Sequence, residues 1–299
     1  MIRVFKSERV AGMAAMLAGV AAFAAMDAGL KVLSTHYSPF QGAALRGLSA
    51  LPVVFVWALL AGGAGQLIRV RWPLHLVRGV LSVGMLTTFM FALQGFSLTK
   101  AYALFFVAPL LIVIFSIVLL GEKVWRVQWL AIIIGFAGVL IAAEPDVGGL
   151  GWLRTVAILG TAVCYALSNV LVRIIGRTDS THSMVFWMTC MLAIGGTALA
   201  LPGWKPVLTE HYPLIASVAL TGALGQWGIT YAFKHAAPAS AASLEYSALA
   251  WGMLIDFVFW SMVPGWRTIA GAAVIVGSGL YLLRHEARHA TTEDCAIRP

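Results

Sequence analysis

The chain has 299 residues, of which 61% are hydrophobic and only 11% charged; its mean hydropathy is +0.90 and its formal net charge +8. Soluble domains carry about 25% charged residues, so a single soluble core is excluded and the class is a polytopic membrane protein embedded in a lipid bilayer. A nucleic-acid partner is excluded too, because the basic residues fall between apolar runs, where they set membrane orientation.

The apolar runs are about 20 residues long and do not alternate with polar residues, which predicts helices rather than barrel strands. Ten spans follow in chain order, over 10–32, 39–61, 77–97, 101–120, 127–144, 152–175, 183–201, 212–233, 240–262 and 268–284. The first run follows a basic start and ends in "AFAAMD"; it reads as a span rather than a cleaved leader, because it is long and has a partner later in the chain. With the N-terminus cytoplasmic, fourteen basic residues lie on the inner side, Arg78 among them, and five on the outer side, Lys31 among them. That asymmetry predicts an inner-membrane protein with both termini cytoplasmic. Of three cysteines, Cys164 and Cys190 lie in apolar runs and Cys295 in the tail, so neither a disulfide framework nor a metal site is expected.

The first and sixth spans match at an offset of 142, pairing Phe23 with Tyr165, Asp27 with Asn169 and Lys31 with Arg173. The fifth and tenth match at 141, pairing Trp125 with Trp266, Arg126 with Arg267 and Gly138 with Gly279. Five spans per half is an odd number, so the second half enters the membrane from the opposite side. The expected fold is an all-α membrane protein of ten transmembrane helices as two inverted five-helix repeats, the plan of secondary transporters. The segments are 1–9, a cytoplasmic start; 10–144 and 145–284, the repeats; and 285–299, a cytoplasmic tail.

The residues "VAPLLIVIFSIVLLGEKVWRVQWLAIIIGFAGVLI" (107–141), "ALRGLSALP" (44–52) and "HLVRGVL" (75–81) resemble the EamA-type members of the drug/metabolite transporter superfamily. The likeness covers about residues 10 to 284, with Arg46 where an Arg is common. "SMVPGW" (261–266) departs from it, lacking the Gly-Glu turn of the first half. The resemblance implies a small-molecule substrate, with amino acids, S-adenosylmethionine or riboflavin as candidates. The sequence has no G-x-S-x-G or phosphate-loop motif, and "HEARH" (285–289) lies in the tail, where a charged amphipathic end is the ordinary reading. Neither a cofactor nor an enzymatic activity is therefore expected; the alternatives to a transporter are an integral-membrane enzyme or a non-transporting receptor.

Ionisable groups inside a span mark a site or a buried partner. Asp27 and Lys31 share a helix face. Asp27 and Arg46 lie at matching depths, roughly 7 and 10 Å by the helical rise. They read either as a charged pair for a zwitterion or proton, or as a brace between the first two helices. Glu245 is the candidate for proton coupling, against a carboxylate merely bonded to a neighbouring helix; Asp256 is a second, deeper candidate. Gln94, Tyr102, Tyr165, Asn169, Trp187, Gln226, Trp227, Tyr231 and Tyr246 complete the expected pocket, since planar side chains stack on planar ligands and offer polar edges. "GALGQWG" (222–228) reads as a close-packing or flexible stretch.

Overall fold

A computed structural model describes residues 2–68, 70–121, 126–142, 150–235 and 244–296, and among them there is helix but no strand. The helices are α1 (Ile2–Ser34), α2 (Pro39–Gly62), a single turn α3 (Gly65–Ile68), α4 (Trp72–Leu93), α5 (Leu98–Phe105), α6 (Ala108–Leu120), α7 (Arg126–Ala142), α8 (Leu150–Ile175), α9 (Thr181–Ala200), α10 (Tyr212–His235), α11 (Ser247–Trp260) and α12 (Trp266–Ala296).

Their starts follow local chemistry. Ser38, Ser97 and Ser180 each turn a hydroxyl onto the amide three residues ahead, satisfying a donor that the first turn of α2, α5 and α9 leaves orphaned. The predicted fourth span is broken between α5 and α6. Pro109 has no N–H and its ring crowds the carbonyl of Phe105, so the helix stops and restarts at Phe106–Val107. Helix continues through most of the expected ends 1–9 and 285–299, since α1 begins at Ile2 and α12 runs to Ala296.

Among the described residues six stretches are long and apolar enough to cross a membrane: Ala14–Ser34, Pro39–Ala61, Trp72–Leu93, Leu98–Leu120, Leu150–Val172 and Thr181–Gly203. Two shorter apolar helices, Ile133–Ala142 and Ser247–Trp260, fall in the predicted fifth and ninth spans. The first residues of the predicted ninth span, 240–243, lie outside the described residues.

The bundle is held by pairings between distant helices. α1 packs along α10, α2 along α9, α4 along α8 and α7 along α12. Small residues permit these approaches, as membrane helix interfaces require. A Cβ on Gly47 would lie 2.7 Å from Ala193 Cα, and one on Gly196 3.0 Å from Ala44 Cα, so α2 and α9 touch backbone to backbone. The glycines of "GALGQWG" serve α1 in the same way: Gly225 lies under the Phe23 ring and Gly228 against Gly19.

The turns after α6 and α11 share one conformation despite their different sequences. Gly121 caps α6 in the left-handed region with φ 68°, and Ser261 caps α11 there with φ 51°. Glycine enters that region freely, whereas a residue with a Cβ pays about 1 kcal/mol or more. Ser261→Gly should therefore raise the melting temperature of the purified protein. A lower melting temperature would show that the Ser261 side chain outweighs its strain.

Candidate functional site

A cavity of about 540 Å³ lies among α1, α2, α4, α5, α8, α9 and α10. Its deep part holds Asp27, Arg46 and Tyr102, its middle Tyr165, Ser168, Asn169, Gln226 and Glu245, and its mouth Arg177, Asp179 and Thr181. Phe23, Phe89, Phe105 and Phe106 form the aromatic part of the apolar wall. Gly176 and Arg177 are exposed, so the cavity meets the surface at the turn between α8 and α9.

The positions matched between the halves, Phe23 with Tyr165 and Asp27 with Asn169, all line this one cavity. Tyr102 Oη donates to Asp27 Oδ2 at 2.7 Å, and Tyr165 Oη donates to Glu245 Oε1 at 2.6 Å. Arg46 faces the cavity beside Asp27, with Nε 3.1 Å from Met26 Sδ. The two form no ion pair within 4.0 Å, so the expected Asp27–Arg46 brace is a looser electrostatic pairing across the cavity. Asn169 Nδ2 bonds back to the carbonyl of Tyr165 at 2.9 Å, and Gln226 Nε2 lies 3.4 Å from Thr230 Oγ1.

Seven predicted site residues lie off the cavity. Lys31 turns away from Asp27 and pairs with Asp256 at 3.0 Å, its ammonium 4.1 Å from the Trp260 ring centroid. Asp256 also accepts from Leu98 N at 3.1 Å, Thr99 N at 2.7 Å and Thr99 Oγ1 at 2.7 Å. These four donors make Asp256 a cap for α5 and a knot between α1, α5 and α11, away from the cavity. Gln94 donates to Ser34 O at 3.2 Å, bracing the α1 corner. Trp187 donates to Leu67 O at 2.8 Å and meets Trp72 edge-on. Trp227 is 39% exposed on the outer face of α10 and stacks on Tyr231. The Tyr246 ring packs on Phe106, with its hydroxyl buried and lacking a hydrogen-bond partner.

The two ends of the bundle differ. Beside the Lys31–Asp256 knot, Gln41 and Lys205 exchange two hydrogen bonds, and Tyr37 Oη meets His211 Nδ1 at 2.8 Å. These bonds tie the α1–α2 corner to the loop before α10. At the mouth, Asp179 accepts from His75 Nε2 at 2.9 Å, Arg71 N at 3.2 Å and Thr178 Oγ1 at 2.7 Å. Burial pushes this carboxylate up, but the three donors together outweigh it and hold it below its ordinary value of 3.8.

Arg78, Ser168 and Asp179 were not among the expected site residues, although they share the cavity wall. Arg78 is no loop residue: it is 4% exposed, two turns inside α4. Its signal was present as the stripe His75, Arg78, Ser82, which at helical spacing lies on one face and is wholly buried. Among the described residues no group of three His, Cys, Asp or Glu could hold a metal ion.

The sequence model of the EamA-like transporter family matches residues 10–143 and again 153–284. The chain belongs to the EamA-like transporter family. It is a multi-pass membrane protein of a family whose named relatives are transporters and exporters of metabolites. The pseudopaline exporter of Pseudomonas aeruginosa is 28% identical over 79% of this chain and 84% of its own. The riboflavin transporter of Vibrio cholerae is 28% identical over 93% and 94%, and the S-adenosylmethionine uptake transporter of Rickettsia bellii 22% identical over 92% and 94%. A crystal structure of a protein 20% identical superposes with a TM-score of 0.64 over 95% of this chain and 99% of that one, which shows a shared fold.

Two outcomes follow for this EamA-family chain. Lys31→Met or Asp256→Asn alone strands a buried charge or its donors, at about 3–5 kcal/mol. The double variant should lose far less than the sum of the two in thermal unfolding; additive losses would mean the pair is not coupled. The depressed Asp179 contributes stability above the ordinary aspartate range that is lost as pH falls through its folded value. Asp179→Asn should flatten the fall in melting temperature below about pH 4, and an unchanged acid limb would show that other groups set it.

Proposed function

We propose that this chain is a secondary transporter of the inner membrane that moves a small organic metabolite by alternating access. In this reading its ten spans form two inverted five-helix repeats, bounded near 10–144 and 145–284, with both termini cytoplasmic. The observation that carries the reading is a cavity walled by residues of both halves. Asp27, Arg46 and Tyr102 come from the first half, and Tyr165, Asn169, Gln226 and Glu245 from the second.

The helix pairings support it. Exchanging the halves turns the α1–α10 contact into the α8–α4 contact, and leaves α2–α9 and α7–α12 as themselves. Two halves related in this way can pack in two nearly equivalent arrangements, each open on one side. The present one is tied at the Lys31–Asp256 end and open at Gly176–Thr181, which the basic-residue asymmetry places on the cytoplasmic side.

A cavity of this size suits a small organic molecule, and its phenylalanines and tyrosines suit a planar body. The relatives named for riboflavin and S-adenosylmethionine place such compounds, with amino acids, in the first panel to try. Glu245 and Asp27 each hold a phenolic proton donor, so each can exchange a proton without being left unpaired. Glu245 is the coupling residue in this reading, and no chemical step on the substrate is assigned to the cavity.

Reconstituted vesicles test this directly. Riboflavin, S-adenosylmethionine and amino acids are offered in turn, and at least one should equilibrate faster than into empty vesicles. Glu245→Gln should abolish the pH dependence of that flux, and retained pH dependence would take coupling away from Glu245. Asp27→Ala should impair flux more than Asn169→Ala, and equal tolerance would remove the asymmetry between the halves.

A further inference from the structure

Arg78 has no anion. Its guanidinium donates from Nε to Ser168 Oγ at 3.3 Å and from Nη1 to Met184 O at 2.9 Å, both neutral acceptors. No carboxylate lies within ion-pairing distance of it among the described residues. The buried carboxylates of the cavity have partners, Asp27 in Tyr102 with Arg46 beside it and Glu245 in Tyr165, and off the cavity Lys31 is answered by Asp256. A cation held inside a membrane bundle without a counter-charge is costly, and it persists where something else supplies the charge.

The place of Arg78 says what supplies it. It lines the cavity on the way from the mouth to the deep end, and Nη2 has no hydrogen-bond partner among the described residues. Arg46 stands over the same helix one turn further in. Arg78 bonds Met184 of α9, while Arg46 shares a small side pocket with Met188, four residues or about 6 Å along. The rings of Phe89, Phe105 and Tyr165 line the same cavity. Guanidinium groups bind carboxylates through charge-assisted hydrogen bonds, so the Nη2 left over on a cavity-lining arginine offers donors to a carboxylate.

We propose that the substrate of this cavity is an organic anion whose carboxylate is bound by Arg78, with a planar body on the aromatic wall and a second polar group reaching Arg46 and Asp27. This rests on the transporter reading and narrows it, since a neutral or purely cationic metabolite leaves Arg78 unanswered. Ser168 Oγ accepts from Nε and so helps hold the guanidinium in place.

Binding to purified, detergent-solubilised full-length protein tests the proposal with matched probes. Indole-3-propionate and L-tryptophan carry the carboxylate, and tryptamine is the same ring and chain without it. Riboflavin and its 5′-phosphate form a second pair that separates a phosphate from a carboxylate. The expected result is that indole-3-propionate or L-tryptophan raises the melting temperature, and that tryptamine binds at least about tenfold more weakly. Arg78→Gln should erase that preference and Arg78→Lys retain part of it, both checked as folded by circular dichroism.

The proposal is overturned if tryptamine binds as tightly as its anionic counterparts, if neither carboxylate probe binds, or if folded Arg78→Gln keeps the preference. Binding of the phosphate probe alone, lost in Arg78→Gln, would overturn the carboxylate and leave an anion site for phosphate. Vesicle flux of a neutral or cationic compound, with no carboxylate binding, would leave the transporter reading standing and remove this one; absence of flux for every compound, with carboxylate binding intact, would do the reverse.

Discussion

A carboxylate in the interior of a membrane bundle has to be met by donors, and at Asp256 four of them converge. Lys31 comes from α1, and the Leu98 and Thr99 amides with the Thr99 hydroxyl come from the start of α5. Away from water each of these bonds is costly to leave unmade, so the knot fixes α1, α5 and α11 against one another. The rest of the cavity depends on it. With that end tied, and with Gln41, Lys205, Tyr37 and His211 bonded beside it, the exposed lining residues Gly176 and Arg177 mark where the space between the halves meets the surface.

The two tyrosine–carboxylate bonds carry the kinship of the halves into chemistry. In the first half the acid Asp27 is on α1 and the phenol Tyr102 on α5. In the second the phenol Tyr165 is on α8 and the acid Glu245 stands just before α11. Donor and acceptor have changed places, but the same two helices of each half are joined. Tyr102 and Glu245 are 143 positions apart, the same separation as the starts of the two family matches. Such bonds can part and re-form as helices shift, which a transporter of two near-equivalent packings requires.

Much of this was legible in the sequence, and the limits have physical causes. Helix positions followed from hydropathy because lipid demands long apolar runs. The break at Pro109 was hidden because proline still left the run apolar. Asp27, Arg46, Tyr102, Tyr165, Asn169, Gln226 and Glu245 reached the cavity because polar groups in a span have few other places to go. Lys31 and Asp256 obeyed the same logic but met each other, 225 residues apart in sequence, a contact that periodicity cannot show. Trp187, Trp227, Tyr231, Gln94 and Tyr246 were misplaced because aromatic and amide side chains serve equally as lipid-facing anchors, braces and packing. Arg78 was lost for the opposite reason: near the end of a span, a basic residue looks like an orientation signal until its face is compared with those of His75 and Ser82.

The central claim is that one cavity between the halves is reached from each side of the membrane in turn. The direct measurement is labelling of a single cysteine at Ser168, in protein lacking Cys164, Cys190 and Cys295, by a membrane-impermeant thiol reagent applied to one side of sealed vesicles at a time. The account predicts labelling from the Asp179 side in the intact protein, and added labelling from the opposite side when the Lys31–Asp256 knot is broken. Labelling from one side alone under both conditions would contradict it.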